Sequence, residues 1–251
     1  MPRKYRITHA GCYHVVCRGV ERRNVFLEED DYDKFLDLLH ELKNKYNIII
    51  HSFCLMTNHY HLLIETKEEN ISEAMRYLNS NYSIYFNKKY KRSGHLWQGR
   101  FHSDYLYDDK HFWYVTKYIE RNPIKANMVQ KMEYYKYQSF FQWKNSFEYF
   151  SLLKNSMIFD MTLGEYEKFI SSAFEEDILD LIYTTPKIIK KDNEIKVLYK
   201  RIETFFNIDI SMNRDINIRS AYNYGYTKSE ISSHVNLSHT CVAKIVNTKR
   251  L

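Results

Sequence analysis

Apolar residues in the first half of the chain switch between two spacings, and each switch marks an element. Residues 12–18, CYHVVCR, alternate and are rich in β-branched side chains, which predicts a strand. From about Asp31 to Tyr46, Phe35, Leu38, Leu39 and Leu42 recur at helical intervals and predict a helix. Two more strand-like runs follow, IIIHSFCLM (48–56) and HYHLLIE (59–65); joined through Thr57 and Asn58, they read as a β-hairpin. A second helix runs from Ile71 to about Lys89, with Ala74, Tyr77, Leu78, Tyr82 and Tyr85 along one side. A loop rich in Lys, Arg, Ser and Gly leads to a strand predicted from Leu96 to Leu106. A third helix is expected from near Asp108 to Pro123, because proline disfavours helical geometry in the residue before it.

This order predicts an α+β domain over residues 1–140: a ferredoxin-like split βαβ antiparallel sheet with its helices on one face. Residues 141–210 look helical and mildly acidic and are expected to be a connector. Residues 211–251 change character. Thr227-x-x-Glu230 is a capping box, Asn236 and Leu237 make a turn, and Ser238 can cap a second helix. Ile231, Val235, Leu237, Val242 and Ile245 would supply a small shared core, the pattern of a helix-turn-helix. Ser238, His239, Thr240 and Lys244 would then face a DNA groove, making duplex DNA a partner, although a helical hairpin of another purpose has the same apolar spacing.

Composition narrows the class. With 44% apolar residues the chain can bury a full core, and with 6 Gly and 3 Pro it is not a low-complexity chain. Cys12, Cys17, Cys54 and Cys241 show no C-x-x-C spacing, which favours reduced thiols. No stretch approaches the length of a membrane span and no signal peptide is evident, so a cytoplasmic setting without a membrane is expected. The net charge of +6 is uneven, with two basic ends flanking an acidic middle, which suits a phosphate-backbone partner modestly.

Two short stretches carry candidate chemistry. In His59-Tyr60-His61 the histidines lie two apart on a strand and so face the same way, and both imidazoles can meet one metal ion. Such pairs are also common as ordinary hydrogen-bonded residues. In YVTKYIERNPIKAN, Tyr118 and Asn122 share a helix face with Tyr114; laid near the histidines, this face could put the Tyr118 phenolate on a phosphorus and offer the Asn122 amide oxygen as a third metal ligand. Nitrogen and oxygen ligands without a thiolate suit Mg²⁺ or Mn²⁺ better than zinc. Among 23 tyrosines, a single one on an amphipathic helix is usually packing.

These stretches together resemble the HUH single-tyrosine transposase family, in the branch of REP-associated tyrosine transposases. The residues are Met56-Thr57-Asn58 ahead of His59-Tyr60-His61, and Tyr118-Ile119-Glu120-Arg121-Asn122-Pro123; Arg18-Gly19 with Phe26, and Leu96-Trp97-Gln98-Gly99-Arg100-Phe101, agree. The likeness spans roughly residues 5 to 140, and the tail resembles the helix-turn-helix appended to some members. It implies His59 and His61 as metal ligands, Asn122 as the third, and Tyr118 as the nucleophile. It further implies single-stranded DNA hairpins of palindromic repeats as substrate, a 5′-phosphotyrosine link with a free 3′-OH, and either a monomer or a homodimer.

Arg18, Arg22, Arg23, Lys88, Lys89, Lys91, Arg92 and Arg100 would track the DNA backbone, while Tyr90, Trp97 and Phe101 stack unpaired bases. Trp97 and Phe101, four apart in the expected strand, could equally be core. No dedicated general base stands out, His95, His102 and His111 being the nearby choices. Two other readings are a non-catalytic helix-turn-helix regulator and a metal-dependent hydrolase that uses water, with Tyr118 structural.

Overall fold

A computed structural model of the chain describes residues 7–106, 108–172, 187–191, 194–198, 210–224 and 226–247. It divides into two compact units, residues 1–182 and 183–251. In the first unit the sheet has the order β2-β3-β1-β4 and is antiparallel throughout. Its strands are β1 (Gly11–Arg18), β2 (Ile48–Met56), β3 (His59–Thr66) and β4 (His102–Tyr105). Helices α1 (Glu29–Tyr46), α2 (Ile71–Lys89) and α3 (Asp109–Lys125) complete the split βαβ order. The β2–β3 hairpin turns at Thr57-Asn58, as the spacing predicts.

The helices do not share one face, contrary to the sequence expectation. α1 and α2 cover the side of the sheet bearing Tyr13, Val15, Phe53, Leu55, Tyr60, Leu62 and Ile64. α3 covers the other side, where Phe112, Val115 and Ile119 pack on Cys54, Met56 and Leu63. Consecutive strand residues point to opposite faces, so Leu62 and Leu63 cannot share one core, and a strand apolar on both faces needs cover on both.

Two further boundaries differ. Only residues 102–105 of the expected 96–106 strand join the sheet; Trp97 makes an isolated bridge to Gly19, and Gln98-Gly99-Arg100 bulges out exposed. α3 runs through Pro123 to Lys125. Proline's ring forfeits a single helical hydrogen bond, and Ala126 N–H to the Asn122 carbonyl (2.9 Å) resumes the pattern. Gly19 is required where it stands, since a Cβ would meet the Arg23 carbonyl oxygen at 2.4 Å and Val25 Cγ1 at 2.7 Å.

The expected connector mostly belongs to the first unit. Helices α4 (Ser139–Lys144) and α5 (Leu163–Ser171) and the turns between them send Phe140, Leu152, Leu153, Ile158, Tyr166 and Ile170 into the α1/α2-side core. The segment before α4 also lies along the outer edge of β2, with Leu55 N–H donating to the Tyr137 carbonyl at 2.9 Å and Gln138 bridging Cys54. Residues 173–186, 192–193 and 199–209 of the expected connector lie outside the described residues.

In the second unit, β5 (Lys187–Lys191) and β6 (Glu194–Leu198) form an antiparallel hairpin where helix was expected. Helices α6 (Ile210–Tyr224), α7 (Lys228–Val235) and α8 (His239–Asn247) enclose Ile218, Ala221, Ile231 and Val242. The Thr227/Glu230 capping box forms, Asn236 turns the chain at φ 56°, and Ser238 Oγ accepts from Cys241 N–H.

Candidate active site on the α3 face of the sheet

Alternation along β3 sends Tyr60 into the α1/α2 core, where its hydroxyl donates to Asn79 Oδ1 at 2.9 Å, and turns His59 and His61 together to the α3 face. The two imidazole centroids are 5.0 Å apart. The Tyr118 ring lies edge-on to His61, with centroids 5.5 Å apart. The structure therefore brings His59, His61 and Tyr118 together within one chain.

Two residues join them that the sequence reading missed. His14 on β1 is buried beside His61, its Nε2 3.0 Å from His61 Nδ1, with its ring 5.9 Å from that of Tyr118. Only strand pairing reveals it: β1 and β3 run antiparallel with Val16 opposite His61, which makes His14 a diagonal neighbour on the same face. Asn58 Oδ1 lies 2.5 Å from His59 Nδ1. The motif contained Asn58, but as a turn residue. Both histidines thus have Nδ1 engaged by a neighbour, which leaves Nε2 as the ligand atom of each. That is the arrangement expected of metal-binding imidazoles, whose second nitrogen is held by a hydrogen bond, so the donor set fits a divalent ion.

Burial pushes the His59 imidazole down to about 4, Arg18 adding to the effect, and drives His61 well below its ordinary range with help from His14, His59 and Arg18. Burial likewise lowers His14 to about 4. All three are neutral at pH 7, the form that ligates metal.

Asn122 shares the Tyr118 face but is held by its own helix, its Nδ2 donating to the Tyr118 carbonyl at 2.9 Å. Glu120, in the same motif, points away into the core. It accepts from Ser52 Oγ (3.1 Å), Ser139 Oγ, Tyr166 Oη (2.9 Å) and Phe140 N–H (3.1 Å). Lys125 Nζ stands 5.6 Å from the centre of the Tyr118 ring. Of the three other histidines considered, His95 is exposed, exposed His102 pairs with Asp104 at 2.9 Å, and His111 is buried in the first turn of α3.

The basic candidates divide. Arg18, Arg22, Lys88, Lys91 and Arg100 are exposed, while Arg23 and Arg92 are half-buried. Lys89 is committed to a structural role, 2.9 Å from the fully buried Asp31 and 3.1 Å from Glu28. Trp97 and Phe101 lie in the α1/α2 core rather than on a strand surface, at 8% and 6% exposure, and little ring surface is left for stacking. Their edges line a groove of about 900 Å³ between α2 and the 94–101 loop, together with Arg76, Asn79, His95 and Arg100. In the second unit, Ser238, His239, Thr240 and Lys244 are all exposed. Among the described residues no helix is long and apolar enough to cross a membrane.

A four-stranded α+β domain with a tyrosine helix laid over paired strand histidines defines the class. Residues 8–122, a little under half of the chain, match the family described as IS200-like transposases. A candidate REP-associated tyrosine transposase of Haemophilus influenzae is 33% identical over 101 residues, covering 36% of this chain and 57% of the relative's length. A solved structure of a REP-associated tyrosine transposase bound to a REP hairpin is similar in fold, with a TM-score of 0.50 at 18% identity, over 59% of this chain and 90% of that one.

Proposed function

We propose that the chain is a metal-dependent endonuclease and strand transferase acting on single-stranded DNA hairpins of palindromic repeats. The observation that carries this reading is the Tyr118 ring edge-on to His61 at 5.5 Å within a single chain.

His59 and His61 would hold Mg²⁺ or Mn²⁺ through Nε2, with Asn122 Oδ1 as third ligand. There the ion would supply Lewis-acid polarisation of the scissile phosphate. Tyr118 Oη attacks phosphorus, forming the O–P bond as the bond to the 3′-oxygen breaks. The phenol proton leaves, the 3′-oxygen takes one up, and the DNA 5′-phosphate remains on the tyrosine. A later 3′-OH reverses these steps, so the phosphotyrosine conserves the bond energy and no nucleotide cofactor is needed. Lys125 places a cation beside the Tyr118 ring. Arg18, Arg22, Arg23, Lys88, Lys91, Arg92 and Arg100 take backbone phosphates, and the groove along α2 accommodates unpaired nucleotides. Residues 228–247 act as a helix-turn-helix on duplex DNA through Ser238, His239, Thr240 and Lys244.

The test is incubation of the protein with a single-stranded hairpin carrying a flanking strand, with Mn²⁺. A protein–DNA adduct that survives denaturation is expected, and its absence under all divalent ions would sink the reading. Because one chain supplies both histidines and tyrosine, mixing a His61→Ala variant with a Tyr118→Phe variant is expected to restore no adduct. Restoration would mean that the tyrosine serves a partner subunit.

His14 is a positioning residue in this reading. It accepts the His61 Nδ1 proton and so fixes which nitrogen faces the ion. His14→Ala is expected to weaken Mn²⁺ binding, measured by calorimetry without DNA, about 10- to 100-fold. His14→Gln, whose amide oxygen can accept the same proton, is expected to recover part of it. Equal losses in both variants would reduce His14 to packing.

A further inference from the structure

On the face that carries His61, Leu63 and then Glu65 follow along β3, and at Glu65 a second group of ligand-type side chains converges. Cys12 on β1 stands opposite Glu65 in register. His51 comes from β2, where the pairing register shifts between Ile50 and Ser52. A bulge of this kind puts two neighbouring residues on one face and re-aims a side chain. One ligand atom from each of Cys12, His51 and Glu65 lies within 4.8 Å of the other two. His51 Nε2 and Glu65 Oε2 are 3.3 Å apart, close to the separation of two ligands on one tetrahedral ion.

The His51 side chain is fully buried, and its Nε2 faces Glu65 Oε2 at 3.3 Å without good hydrogen-bond geometry. The ring is held in place by an edge contact with Phe112 at 4.9 Å and by Ser156 Oγ 3.3 Å from Nδ1. Glu65 is oriented as well, since Lys67 holds its Oε1 and Oε2 is the oxygen turned to His51.

We propose that Cys12 Sγ, His51 Nε2 and Glu65 Oε2 form a second cation site, and that its ion is Zn²⁺. A thiolate, an imidazole and a carboxylate are the zinc donor set, whereas Mg²⁺ avoids sulfur. Three protein ligands leave the fourth position of a tetrahedron to water, which half-exposed Cys12 admits. The site is separate from the histidine pair: His61 and Glu65 are four residues apart along one strand, about 13 Å. Binding releases the Cys12 thiol proton to solvent. The His51 ring keeps its single proton, now on Nδ1 against Ser156 Oγ, at the expense of the Met157 N–H contact with Nδ1 at 3.1 Å. An ion there pins β1, β2 and β3 to one another beneath the start of α3.

Co²⁺ titrated into the full chain tests this, because it reports thiolate ligation by a charge-transfer absorption that the thiolate-free site of His59, His61 and Asn122 cannot give. One equivalent is expected to produce the band, Zn²⁺ to abolish it, and each Zn²⁺ bound to release a proton. Cys12→Ser should remove the band while leaving the metal-free melting temperature unchanged, and Glu65→Gln should weaken binding about tenfold or more. If no charge-transfer band forms, or if it persists in Cys12→Ser, the site does not exist. A His59→Ala, His61→Ala double variant should keep the band, so failure here is separable from failure of the strand-transfer reading.

Discussion

Tyr118→Phe is expected to abolish the denaturation-resistant adduct and to lower hairpin cleavage by at least about 10³-fold, the scale on which loss of a nucleophile acts. The phenyl ring keeps the edge contacts with His14 and His61, since these involve the ring and not the hydroxyl. Hairpin affinity and melting temperature should therefore stay near their wild-type values. That separation is what identifies a nucleophile as opposed to a packing residue. Labelled hairpin resolved on denaturing gels reads both activities at once. Cleavage that continues without an adduct would transfer the chemistry to a water nucleophile and leave Tyr118 structural. Binding of duplex DNA through Lys244, without cleavage of any hairpin, would instead make the chain a regulator.

The largest stability effect is expected at Glu120, two residues from Tyr118. It is fully buried, and its four hydrogen-bond partners tie α3 to β2, α4 and α5. Glu120→Ala leaves three hydroxyls and the Phe140 N–H without their acceptor and should cost about 3 kcal/mol or more in urea denaturation. The pH dependence is more diagnostic. Burial pushes the Glu120 carboxyl up from 4.5 to about 7, against hydrogen bonds that pull it down. Below the unfolded value both states are protonated and the group contributes nothing. As pH rises through this window the unfolded chain ionises first, so stability is lost, and above about 7 the loss is complete. Wild-type stability relative to Glu120→Gln should fall by ~3 kcal/mol between about pH 5 and about pH 8. The buried histidines act in the opposite sense, favouring the fold above their ordinary range and withdrawing that support on acidification. Being common to both proteins, they cancel in the difference. A flat difference would show that the four donors already hold Glu120 ionised at pH 5.

His59 and His61 sit on a central hairpin strand, and Tyr118 on a helix pinned from behind by Glu120. A rigid sheet and a separately anchored helix can hold a phosphate-sized gap between them, which loops could not.

What the chain alone determined was local: the helices over 31–46 and 71–89, the hairpin turning at Thr57-Asn58, and the capping box at Thr227. The common facing of His59 and His61 was legible in the same way. Each follows from side-chain periodicity or from a hydrogen bond within a few residues, and these need no partner from elsewhere in the chain. Tertiary structure decided the rest. It placed α3 on the face opposite α1 and α2, because β3 is apolar on both sides. It brought His14 to His61 through strand register, gathered Cys12, His51 and Glu65 around a bulge, and folded residues 139–172 back onto the sheet. It also turned Trp97 and Phe101 into core. Those outcomes depend on which strands pair and which surfaces remain to be covered, and such relations between distant residues leave no periodic mark in the sequence.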